Sequence, residues 1–145
     1  MRATIYLRIA AVLTLVHSAM HTVGGVFGAT PEGPASVAAA AMKANHFEFM
    51  GATRTFWEFH RGLGLAVTIF LTAEAVVFWL LGSLAKRNAM EIRPILAVFA
   101  IGYLAFAVDS LVYFFLLPVV FEAVIAACLL MATISTSPDS TKPAE

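Results

Sequence analysis

Charge is missing from long stretches of this chain, and its absence constrains the fold more than any other feature. No charged side chain occurs from Ile9 to Pro31, only Glu74 from Gly62 to Ala85, and only Asp109 and Glu122 from Pro94 to Pro138. A helix that crosses a bilayer needs about 20 mostly apolar residues. These stretches supply that length four times, with the last divided by a short turn around Leu116-Leu117-Pro118, because proline interrupts a helix. Composition agrees. Of the 145 residues, 61% are hydrophobic and 12% charged, whereas a soluble domain carries roughly 25% charged residues. Nine Lys and Arg balance nine Asp and Glu. No cationic excess exists to hold nucleic acid, and hydrophobicity this high excludes disorder.

The expected fold is therefore all-α: a four-transmembrane-helix bundle forming a single domain over residues 1–135, with helices at about 6–28, 54–84, 94–116 and 118–135. The N-terminal run is read as a span rather than a cleaved signal peptide, because small residues are poorly placed for cleavage around His17-Ser18-Ala19 and the apolar segment continues to Phe27. The first connection contains a turn (Thr30-Pro31-Glu32-Gly33-Pro34) and then an Ala-rich stretch. That stretch predicts a short extra amphipathic helix over about 35–49, lying at the interface or capping the bundle. Residues 136–145 read as a polar cytoplasmic tail.

Arg2, Arg8, Lys86, Arg87, Arg93 and Lys142 all fall on one side of such a topology. By the positive-inside rule that side is cytoplasmic, which places both termini in the cytoplasm and the protein in a cell membrane, as a multi-pass protein of the bacterial inner membrane. The outward connection has Lys43, Arg54 and Arg61 offset by Glu32, Glu48 and Glu58. Trp57 and Trp79 would lie about 33 Å apart along one helix, one at each interface of a core about 30 Å thick.

Ionisable residues inside a span are costly and face the interior, so they are the first places to look for function. His17 and His21 share one face of the first helix, followed by Gly24 and Gly28. A Gly-xxx-Gly face admits a close neighbour and suggests a homo-oligomer through Gly24 and Gly28. His21, His60, Asp109 and Glu122 come from four different helices at a similar expected depth, in one outer polar layer. Glu58 and Arg61 are spaced to pair, which leaves His60 as the better site candidate. Glu74 lies deeper, toward the cytoplasmic side, as a proton-relay candidate. Cys128 stands alone, so no disulfide or thiolate metal cluster forms within the chain.

Three classes of function stay open. The first is a His/carboxylate site in the outer half of the bilayer. There His17, His21 and His60 bind a transition metal ion (zinc, iron or copper), or His60, Asp109, Glu122 and Glu74 serve acid–base chemistry on a hydrophobic small molecule entering from the lipid bilayer. Haem, which needs two His on opposing helices, is a lesser alternative, with His21 or His17 facing His60. The second is a small proton-coupled transporter using Glu74, Asp109 and Glu122, although no internal repeat marks one. The third is a structural or accessory membrane subunit. None of these names a substrate or decides whether the chain is an enzyme.

The segments His17-Ser18-Ala19-Met20-His21-Thr22-Val23-Gly24-Gly25, Phe49-Met50-Gly51 and Phe56-Trp57-Glu58-Phe59-His60-Arg61-Gly62 resemble a family of small uncharacterised bacterial four-helix integral membrane proteins. The resemblance extends from Tyr6 to about Ile134. It implies the topology and the bacterial inner membrane, and no residue role.

Overall fold

A computed structural model describes residues 2–136; the rest of the expected tail, with Lys142, lies outside the described residues. The chain is mostly helical. Helix α1 (Arg2–Met20) runs into a π-helical segment (His21–Val26). There follow α2 (Pro34–Ala44), strands β1 (His46–Phe49) and β2 (Ala52–Thr55), α3 (Phe56–Leu84), α4 (Ala89–Tyr113) and α5 (Leu116–Ser135). Four stretches are long and apolar enough to cross a membrane: Arg2–Val26, Phe56–Leu84, Ala89–Tyr113 and Leu116–Ser135. No more than 33% of the most apolar window of any of them is buried inside the chain. Large side chains such as Ile69, Phe70, Val98 and Ile101 are exposed instead, and water-soluble chains rarely leave apolar surface this extensive uncovered.

Local chemistry moves several boundaries from their expected places. The first span does not stay α-helical to residue 28. From His21 the backbone widens to π geometry, in which Phe27 N–H donates to the Thr22 carbonyl (3.0 Å), an i→i+5 bond. Gly28 lies beyond the helix, and a Cβ there would collide with the carbonyl oxygen of Gly24, so this exit fits glycine alone. His17, His21, Gly24 and Gly28 consequently do not form one continuous helical stripe.

The Ala-rich helix α2 starts on Pro34, whose missing N–H costs nothing in a first turn. It stops at Ala44 instead of reaching Phe49. Asn45 ends it, donating both its backbone N–H (3.0 Å) and its side-chain amide (2.7 Å) to the Ala41 carbonyl. The expected end of that helix is a β-hairpin: His46 pairs with Thr55 and Phe49 with Ala52. Met50 (φ 50°) and Gly51 (φ 82°) form the two-residue turn, the pair of positive φ values that matches hairpin twist.

Helix α4 begins before Pro94 rather than at it, and carries that proline inside its early turns. Pro118 falls in the first turn of α5, where no intrahelical donor is needed. The break between the last two helices is therefore at Phe114–Phe115, before the proline.

Two compact units result. One contains the chain up to His17 and from Leu71 onward; the other is Ser18–Phe70. The first is a bundle of four helical segments, with α4 and α5 as its most extensive pair. Its core holds Leu7, Ala10, Phe78, Ile92, Leu96, Ala100, Ile125 and Leu129, all buried. A Cβ on Gly82 would press on Arg8 and Leu7 (3.4–3.6 Å), so the glycine lets α1 and the second half of α3 approach closely. There Arg8 lays its guanidinium over Trp79 (3.5 Å) and donates to Ser83 Oγ (2.8 Å), an amphipathic arrangement that keeps a cation against an apolar helix.

Candidate functional site

The second unit is held by a polar seam between the π segment and the start of α3. His21 Nε2 donates to the Gly64 carbonyl (3.0 Å), Ser18 donates to the Thr68 carbonyl (3.1 Å), and the hydroxyls of Thr22 and Thr68 meet at 2.9 Å. Gly64 makes the seam close: a Cβ there would reach within 2.9 Å of Val26. His21 thus has a definite local task, pinning the π turn to α3.

His60 is exposed and its ring tilts against Trp57 at 5.9 Å. Glu58 and Arg61 do not pair. Glu58 accepts from the backbone N–H of Thr55 (2.7 Å) and its hydroxyl (3.2 Å), while Glu58 N–H donates back to Thr55 Oγ1 (3.1 Å). This reciprocal box satisfies donors that a helix start otherwise leaves unpaired. Arg61 instead places its guanidinium 4.9 Å over Phe27. A groove of about 400 Å³ opens beside the hairpin, lined by Phe47, Phe49, Arg54, Glu58, Phe59 and Leu63. None of Glu74, Asp109 and Glu122 lines it.

The first unit contains the buried acid chemistry. Glu122 is completely buried on α5, and its Oε1 accepts from Ser110 Oγ of α4 (2.9 Å). Its Oε2 is buried with no hydrogen-bond partner among the described residues. Two turns along the same face of α4, the buried Tyr103 donates to Glu74 Oε2 of α3 (2.7 Å). The Tyr103 hydroxyl also stands 3.4 Å from that of the fully buried Thr14 on α1. One turn beyond Thr14 on α1 comes His17, 7% exposed. Its ring stacks on Phe121 at 5.4 Å and tilts against Phe106 at 6.5 Å. Asp109, next to Ser110 in sequence, is exposed.

The expected metal set of His17, His21 and His60 is not assembled. Among the described residues no group of three His, Cys, Asp or Glu side chains is placed to hold a metal ion. The reason is local: His21 is engaged by a backbone carbonyl, His60 lies on an exposed face and His17 sits among aromatic rings. What comes together instead is acid with hydroxyl: Glu74 with Tyr103 and Thr14, and Glu122 with Ser110. The sequence reading missed the three hydroxyl partners. The signal for them is that Thr14 precedes His17 by three residues and Tyr103 precedes Ser110 by seven, spacings that return a polar group to one face.

No family model, no curated protein and no solved structure matches this chain.

Proposed function

We propose that this is a multi-pass protein of a bacterial inner membrane, with both termini cytoplasmic and kinship to the small four-helix family it resembles. We further propose that it carries protons through the bilayer by way of Glu122, as the proton-handling core of a small transporter. The observation that carries the reading is Glu122 itself: completely buried, with one oxygen on Ser110 and the other on nothing among the described residues.

A carboxylate in an apolar interior is strongly disfavoured unless it is paired. One hydroxyl donor does not offset a full charge, and the neutral acid is the form such a place tolerates. A buried acid that takes up and releases a proton is the basic component of a membrane proton path. The Glu74–Tyr103–Thr14 group supplies a second acid in the same unit, already hydrogen-bonded at 2.7 Å. A metal centre has less support, because the polar groups meet as acid–hydroxyl pairs rather than as three ligands around a point.

The test is proton entry into liposomes containing the purified protein, driven by an imposed membrane potential and read by a lumenal pH dye. The wild type should acidify the lumen faster than protein-free liposomes do. Glu122→Gln keeps the shape and the Ser110 contact but cannot titrate, and should reduce the rate to the protein-free level. Wild-type liposomes no faster than protein-free ones would overturn the reading, as would a Glu122→Gln rate equal to the wild type.

A further inference from the structure

We propose that His17 is the relay that joins the two acids, passing protons between Glu122 and the Thr14–Tyr103–Glu74 group; this rests on the proton-carrying reading of Glu122.

The argument is one of placement. On α4, Tyr103, Phe106 and Ser110 follow one face at successive turns. On α1, Thr14 and His17 occupy successive turns of the facing surface. Contacts tie the two faces level by level: Thr14 meets Tyr103 (3.4 Å), and His17 meets Phe106 (6.5 Å). On the third side, His17 stacks on Phe121, the residue immediately before Glu122 (5.4 Å, interplanar angle 20°). The imidazole therefore lies between the Tyr103–Glu74 level and the Ser110–Glu122 level.

Within one turn of Phe106 and Phe121 the titratable groups are Tyr103 and Asp109 on α4 and Glu122 on α5, and Glu74 of α3 joins them through Tyr103 (2.7 Å). Asp109 is exposed, which leaves Tyr103, Glu122 and Glu74 for the interior path. The two aromatic neighbours, Phe106 and Phe121, fix the plane of the ring.

The chemistry balances without any further reactant. The Glu122 carboxyl gives its proton to one imidazole nitrogen, leaving a carboxylate and an imidazolium. The imidazolium releases the proton on its other nitrogen to the Thr14 hydroxyl oxygen as Thr14 passes its own proton to Tyr103 and Tyr103 passes its own to the Glu74 carboxylate. The ring ends neutral, both hydroxyls end as they began, and one proton has moved from Glu122 to Glu74. Imidazole suits this step because its two nitrogens take and give protons near neutral pH.

The experiment uses the same liposomes. His17→Phe retains a ring against Phe106 and Phe121 and removes both nitrogens. It should lower proton entry by about a hundredfold or more, the lower reach of what proton-transfer groups contribute, while leaving the melting temperature near the wild-type value. His17→Ala should be equally slow, and added imidazole should restore its rate in proportion to concentration; a purely structural histidine gives no such rescue. If His17→Phe conducts like the wild type while Glu122→Gln does not, the relay is overturned and the Glu122 reading stands. If the His17→Phe protein does not fold, His17→Ala decides: no response to imidazole overturns the relay. A wild type without proton entry overturns both.

Discussion

Tyr103 joins polar groups from two other helices of the first unit. Its hydroxyl serves Glu74 at 2.7 Å and stands 3.4 Å from Thr14. Removing it leaves a half-buried acid without its donor, a change that costs about 1–3 kcal/mol. Tyr103→Phe should therefore lower the thermal stability of the purified protein by an amount of that order, and an unchanged melting curve would contradict the hydrogen bond. Residue-scale features were only partly legible in the sequence. That Glu74 and Glu122 lie in apolar spans is plain from composition. That each finds a hydroxyl on another helix is not, because the partners come from positions far apart in the chain. Glu58 shows a different failure. Its spacing allows both a pair with Arg61 and a box with Thr55, and the backbone donors at the start of α3 win because a helix end has no other partner for them.

At the scale of elements, the four apolar spans follow from the lack of charge, and their ends follow from chemistry that the lack of charge does not report. The Ala-rich run looks helical as far as Phe49, but Asn45 closes it at the Ala41 carbonyl and alternation takes over through Phe47-Glu48-Phe49. A turn built on Met50-Gly51 is harder to foresee than Asn-Gly, since only its glycine is at ease at positive φ. The π segment at His21–Val26 is harder still: its anchors, Gly64 and Thr68, come from the distant start of α3. The reciprocal box is the device that starts α3, immediately after the hairpin. Thr55→Ala removes its hydroxyl and should destabilise the protein by about 1 kcal/mol, with fraying of the first turn seen as faster amide exchange at Trp57 and Glu58. Amide exchange equal to the wild type there would remove the box from the account.

For the whole molecule, the distribution of basic residues is the strongest topological signal. On a path that crosses the membrane four times, Arg2, Arg8, Lys86, Arg87 and Arg93 would all fall on one side. Reporter domains fused at either end should be active only in the cytoplasm, and a reporter inserted at Gly33 only outside. The reverse pattern would contradict the orientation. What the sequence could not supply at this scale is the grouping of polar residues. An outer layer of four ionisable side chains is a sum over expected depths, whereas contacts decide which groups meet. Those contacts leave His60 and Asp109 on exposed faces, engage His21 with a carbonyl, and bury Glu122 against the Ser110 hydroxyl. The whole account then depends on the state of one acid. Infrared spectra of the protein in lipid at neutral pH, compared between wild type and Glu122→Gln, report it directly. The predicted result is a protonated-carboxyl C=O band in the wild type that is missing from Glu122→Gln. Loss of an ionised-carboxylate band in its place would contradict the claim that Glu122 holds a proton inside the membrane.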